Sequence, residues 1–215
     1  MTKTEASNEH SNPAVSAAAK IISVLFHPVF MPLLMALVVY ALIPAAFAGI
    51  KEKQLVLLFV SIGVSTLFFP LFTIGLMKPL GFISSFRMPT NRERTIPLIA
   101  VMIFYFWISH VFNNLPAIPL ALKILLLGNF WGIILVFLAN IFTRISMHTA
   151  AAGGMVGILL VLLIISPANI VMPFFGALIL AGIIGSARLA LGAHQRGDVW
   201  LGYIIGIICQ VGAYI

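Results

Sequence analysis

Charged side chains are scarce in this chain. Only 8% of its 215 residues are Asp, Glu, Lys or Arg, against about 25% in an ordinary soluble domain. So few charges cannot wet the surface of a 23.3 kDa particle, and most of the outside therefore faces lipid. Acidic residues are rarest, five in all, and Asp198 is the only aspartate. Cysteine is reduced to Cys209, which excludes an intrachain disulfide and a cysteine-based metal site. A secretory leader with its apolar stretch and small-residue cleavage site is also missing at the start. Residues 1–20 instead carry Lys3, Glu5, Glu9 and Lys20 and read as a polar N-terminal tail ahead of one domain, 21–215. No internal repeat of the kind that marks many transporters is visible.

What the chain has in abundance is apolar sequence, 62% of it. Uncharged runs close to the ~20 residues needed to span ~30 Å of hydrocarbon occur at 21–43, 54–77, 96–112, 124–143, 149–166, 170–187 and 199–215. The fifth and sixth share one charge-free stretch between Arg144 and Arg188. Its length as a single helix would be ~65 Å at ~1.5 Å per residue, so two crossings with a turn at Ser166-Pro167-Ala168-Asn169 fit better. None of the runs alternates as barrel strands do, and only helices or closed barrels satisfy the backbone in lipid. The expected fold is all-α, a polytopic membrane bundle of about seven helices, within six to eight. Gly153-x-x-x-Gly157 and Gly202-x-x-x-Gly206 are spaced to let two helices approach closely.

The polar residues divide unevenly. With seven alternating crossings, the tail and the loops after the second, fourth and sixth helices share a face that carries nine of the twelve bases and all six arginines. Only Lys51, Lys53 and Lys123 fall opposite. Parity and charge together favour a cytoplasmic position for the arginine-rich face. Bases strung singly between apolar runs are loop charges and anion ligands rather than a nucleic-acid surface. Three segments on that face are chemically loaded: residues 87–94, then Ser146-Met147-His148, then Ser186-Ala187-Arg188 with His194 and Asp198. A charge at membrane depth costs ~2.5–3.5 kcal/mol on insertion scales, which asks for a purpose. His194 and Asp198 are four apart and share a helix face if the last helix starts a turn early. The carboxylate could then fix the imidazole tautomer and leave the other nitrogen as nucleophile or base. Arginine suits bidentate phosphate recognition, so Arg87, Arg94 and Arg188 would neutralise a transferring phosphoryl group, and His148 would protonate the leaving oxygen. No metal or other cofactor is required by this set.

In these residues the chain resembles the type-2 phosphatidic acid phosphatase superfamily, whose signature runs K-x6-R-P, then P-S-G-H, then S-R-x5-H-x3-D. The third motif stands here as Ser186-Ala187-Arg188-x5-His194-x3-Asp198, with one residue inserted after Ser. The second stands as Ile145-Ser146-Met147-His148, without Pro and Gly, and the first as Arg87-x6-Arg94-Thr95, with Arg for Lys and no Pro. The resemblance spans residues 87–198 and implies a metal-independent phosphatase acting on a lipid phosphomonoester or diphosphate. By it His194 is the nucleophile that becomes phosphorylated, Asp198 orients it, and His148 protonates the leaving group. Arg87, Arg94, Arg188 and Ser146 contact the phosphoryl oxygens.

Implied partners are membrane lipids and a lipid phosphate substrate, with no nucleic acid. Undecaprenyl diphosphate, phosphatidic acid, phosphatidylglycerol phosphate and lipid A phosphates all qualify. The setting implied is the inner membrane of a bacterial cell. An alternative of another class stays open here: a transporter or scaffold that binds an anion in a degenerate site without turnover. Lys78, Arg92 and Arg196 read as head-group charges, Arg144 as a loop anchor, and Trp107, Trp131 and Trp200 as interface or packing aromatics. His27 and His110 read as packing or interfacial residues.

Overall fold

A computed structural model of the chain describes residues 13–86, 88 and 90–215, the side chains of Asn91 and Arg92 excepted. Among the described residues it is helical, without strands. Eight helices follow one another: α1 Pro13–Leu25, α2 Met31–Leu42, α3 Glu52–Met77, α4 Asn91–Asn113, α5 Leu120–Phe142, α6 Met147–Ile165, α7 Val171–Ala190 and α8 Arg196–Gly212. Five of them, α3 to α7, are long and apolar enough to cross a membrane. The polytopic bundle expected from the apolar runs is therefore the fold; of the eight described α-helices five meet the length and hydropathy of a crossing, against the seven crossings expected.

The extra helix comes from residues 21–43, expected as one crossing. The ring of Pro28 disfavours a helical conformation at His27 and brings no amide hydrogen of its own. The chain turns instead, with Phe30 N donating to His27 O at 2.9 Å and Met31 N to Pro28 O at 3.2 Å, and Pro32 opens α2. Two short helices of 13 and 12 residues result, and the first begins inside the expected tail, at Pro13. The direction of the chain changes with them. α1 packs along α7, and its C-terminal end reaches the loops that carry the candidate site. The start of α1 and the end of α8 thus lie toward the end of the bundle opposite those loops, whereas seven crossings would have put the tail beside them.

Local chemistry shapes the long helices. In α3 the amide of Phe69 bonds back five residues to Val64 O, forming a wide turn over Val64–Phe68. Pro70 follows and can donate to no carbonyl, so the turn absorbs the break without ending the helix. Thr66, buried in that turn, satisfies Ile62 O with its hydroxyl at 2.8 Å. α4 starts at Thr90, whose side-chain oxygen accepts from Glu93 N.

α6 is the central helix, with Ala152, Ile158, Val161 and Leu162 fully buried. Its closest partner is α8. A Cβ at Gly153 would stand 2.8 Å from Tyr203 Cα, and one at Gly206 would stand 2.8 Å from the Gly153 carbonyl carbon. The two glycine pairs therefore admit backbone against backbone, the packing that drives helix association where lipid removes the hydrophobic effect. This crossing also fixes the N-termini of α6 and α8 side by side, because Ser146 N donates to Asp198 O at 3.4 Å. Trp107, Trp131 and Trp200 are all exposed, and Trp131 lies beside Gly212. His110, exposed, stacks on Phe106 at a centroid distance of 5.5 Å, remote from the arginine-bearing loops.

Candidate active site

Four helices begin at the end of the bundle that carries the loaded segments: α2 after Phe30, α4 after Thr90, α6 after Ser146 and α8 after Gln195. Helix N-termini present unpaired amides and partial positive charge, so this end favours an anion before any side chain is counted. Ser146, fully buried, caps α6 by accepting from Thr149 N at 3.4 Å, and its carbonyl accepts from Thr149 Oγ1 at 3.1 Å. Its hydroxyl is therefore engaged in the helix cap.

His194 lies in the short connection between α7 and α8. Its Nδ1 is 2.9 Å from Arg144 O. A carbonyl only accepts, so Nδ1 carries the proton and Nε2 is the nitrogen with a free lone pair. Burial lowers the affinity of this ring for a second proton, and the nearby Arg188 and Arg94 charges act in the same direction. The Arg144 carbonyl and the Asp198 carboxylate oppose them, and the net effect is a pKa below the ordinary histidine value. Neutral imidazole is thus the resting form near pH 7.

Asp198 does not hydrogen-bond His194 among the described residues. One carboxylate oxygen accepts from Thr143 Oγ1 at 2.7 Å and the other from Gln195 N at 3.1 Å, so Asp198 closes the N-terminal turn of α8. The i, i+4 pairing expected from the sequence is absent because α8 starts at Arg196, which leaves His194 outside the helix. The tautomer-fixing acceptor is the Arg144 carbonyl, and Asp198 acts on the ring through its charge.

Arg94 and Arg188 both come to this end, and each keeps an unused donor. Arg94 is 7% exposed. Its Nε donates to Met88 O at 3.2 Å, a carbonyl set by the left-handed backbone of Met88 at φ 44°, while Nη1 is buried without a partner. Arg188 donates from Nη1 to Ser23 Oγ at 3.1 Å, and its Nε is buried without a partner. Buried guanidinium donors left open in this way are what an incoming phosphoryl group would satisfy. Arg87 lies outside the described residues.

His148 starts α6 and sends Nε2 to Ser23 O at 2.9 Å. His27 stands edge-on to it with ring centroids 5.3 Å apart. Burial and the Arg188 charge hold His27 below its ordinary pKa. Sequence reasoning missed Ser23, His27, Thr143 and the Arg144 carbonyl. A signal existed for two of them: Ser23 and His27 are four apart in an apolar run, directly before a proline. Backbone carbonyls such as that of Arg144 leave no mark on sequence.

A family model described as the PAP2 superfamily matches residues 137–215. The match takes in Ser146, His148, Arg188, His194 and Asp198, while Arg87 and Arg94 precede it. No curated protein and no solved structure matches the chain. The match supports a phosphatase-type function for a multi-pass membrane protein.

Proposed function

We propose that the protein is a membrane phosphatase that removes the terminal phosphate of a lipid monophosphate or diphosphate through a phosphohistidine at His194, a reading supported by the match of a PAP2 superfamily model to residues 137–215. The observation that carries this reading is the state of His194. Its Nδ1 is committed to a carbonyl, and the ring is flanked by two arginines with open donors.

In the first step Nε2 of His194 attacks phosphorus and the bond to the leaving oxygen breaks. Arg94 and Arg188, with Arg87 by family resemblance, offset the charge on the phosphoryl oxygens. Nδ1 of His148, bare because the ring's proton on Nε2 is donated to Ser23 O, takes the proton that a phosphate monoanion brings and passes it to the leaving oxygen. The phosphohistidine leaves positive charge on the ring, which Asp198 stabilises across space. Water then attacks phosphorus, the N–P bond breaks, inorganic phosphate departs and neutral His194 returns. Ser146 belongs to the phosphate site through the α6 terminus that it caps. On the same resemblance the protein belongs in the inner membrane of a bacterial cell.

The test is phosphate release by the purified protein in detergent from a panel of lipid phosphates. Wild type releases phosphate from at least one, and His194→Ala releases none. A wild type that is silent on every lipid yet still binds vanadate would overturn turnover in favour of an anion-binding scaffold.

A further inference from the structure

A cavity of about 410 Å³ runs through the interior of the bundle between α2, α3, α4, α5, α6 and α8. His27 and Arg94 line it near the loops of the active site, and Tyr105, Asn129 and Gln210 line it farther in. Apart from these its walls are almost wholly apolar, Met35, Val101, Ile133 and Met155 among them. Gln210 is 1% exposed. Its Nε2 donates to Leu125 O at 3.2 Å and to Asn129 Oδ1 at 3.1 Å. Gln210 Oε1 and Asn129 Nδ2 remain, both buried and both without a partner. One acceptor and one donor are thus left open on adjoining amides, at a depth where the bilayer offers no water to satisfy them.

The fold makes room for this pair. A Cβ at Gly128 would stand 2.6 Å from Gln210 Cδ, and one at Gly157 would stand 2.8 Å from Gln210 Cβ. Gln210 follows Asp198 by twelve residues on α8, which is ~18 Å along the axis at ~1.5 Å per residue. Tyr105 follows Arg94 on α4 by a similar distance.

We propose that the cavity holds the hydrocarbon tail of the lipid phosphate and that Asn129 and Gln210 bind a hydroxyl carried on that tail, ~18 Å from the phosphate. Only a group that both accepts and donates completes the pair: its oxygen accepts from Asn129 Nδ2 and its hydrogen is donated to Gln210 Oε1. An ester carbonyl accepts only, and an ammonium donates only. The substrate class is then a lipid phosphate with a hydroxylated chain, rather than one with a plain polyprenyl or acyl chain. This rests on the phosphatase reading for the position of the phosphate.

Equilibrium binding of long-chain alkylphosphonates to the detergent-purified protein tests the assignment, because phosphonates bind without being hydrolysed. The probes are a plain hexadecylphosphonate and isomers with the hydroxyl near, midway along and far from the phosphonate. Wild type is expected to bind the far isomer about tenfold more tightly than the plain chain, with no such gain for the near isomer. Gln210→Leu and Asn129→Leu lose that preference while still binding the plain chain. Equal affinity of wild type for every isomer overturns the proposal, since the pair then holds only water, and so does failure of every phosphonate to bind. Should a variant fail to fold, the wild-type positional series decides alone. Absence of phosphate release from all lipids, with the isomer preference present, would sink the phosphatase reading and leave this one standing.

Discussion

Ser23 Oγ accepts a hydrogen bond from Arg188 Nη1 at 3.1 Å, joining residues 165 apart in sequence. The carbonyl of the same serine accepts from His148 Nε2 at 2.9 Å. A single residue of α1 therefore holds two of the side chains assigned to phosphate chemistry, although α1 precedes the family-matched segment by more than a hundred residues. The N-terminal helix belongs to the site as a positioning element. It does so because α1 packs along α7 and the chain breaks at His27-Pro28, which leaves the C-terminal end of α1 beside Arg188 and His148.

Replacing Ser23 by Ala removes the hydroxyl that holds Arg188 and keeps the carbonyl that holds His148. A hydrogen bond to a charged group is worth about 1.5–3 kcal/mol, so catalytic efficiency on a short-chain alkyl phosphate should fall on the order of tenfold or more. The loss should appear mainly in KM, since Arg188 binds phosphate. A thermal midpoint in detergent close to wild type would separate this from a folding defect. Unchanged kinetics would show that Arg188 is positioned without Ser23.

The pH dependence follows from His194. Its folded pKa lies below the ordinary 6.5, chiefly through burial and then through the charges of Arg188 and Arg94. The attacking form is the neutral ring, so activity is present above the folded pKa and lost as pH falls through it. The acid limb of kcat/KM should therefore lie below pH 6.5. Arg188→Met removes one of the opposing positive charges and should shift that limb upward, whatever it does to the maximal rate. A limb above pH 6.5 in wild type would contradict the environment described for His194.

Much of this arrangement is legible in the sequence, and the illegible parts have physical reasons. Apolar runs fix the crossings of α3 to α7 because lipid demands length and low charge, and both signals are carried by composition alone. The spacing of Arg188, His194 and Asp198 brings the right residues to one end of the bundle. It does not reveal their partners. Whether Asp198 reaches His194 depends on where α8 begins, and its start at Arg196 turns the carboxylate toward Thr143 and Gln195. Residues 21–43 mislead because their hydrophobicity meets the length rule while Pro28 breaks the backbone. Ser23 and His27 then resemble ordinary interior residues, since their partners come from α6 and α7.

Glycine at the α6–α8 crossing should be indispensable. A methyl at Gly206 would meet the backbone of Ala150, Gly153 and Gly154, which cannot yield as a flexible side chain would. Gly206→Ala should cost about 1–3 kcal/mol or more by overpacking and disturb Asp198 at the other end of α8. Gly182→Ala, where a Cβ meets nothing within 4 Å, is the matched control and should be neutral. Thermal unfolding of the two variants in detergent distinguishes them, and equal midpoints would contradict the close crossing.

The break at His27-Pro28 also predicts which ends of the chain share a side of the membrane. α1 runs toward the loops of the active site, because Ser23 near its C-terminal end meets Arg188 and His148. α2 runs back, α3 returns, and the remaining helices alternate until α8 leaves the site at Asp198 and ends at Gly212. Among the described residues an even number of helices then lies between residue 13 and residue 215. A tag ahead of residue 1 and a tag after residue 215 should therefore be accessible from the same side of intact membranes, and a cysteine at Thr90 from the other. One uninterrupted crossing over residues 21–43 would instead put the N-terminal tag with Thr90. Thiol labelling from each side, with Cys209 replaced by Ala, reads the difference directly. The same experiment fixes the face on which phosphate is released, because Thr90 caps the helix that carries Arg94.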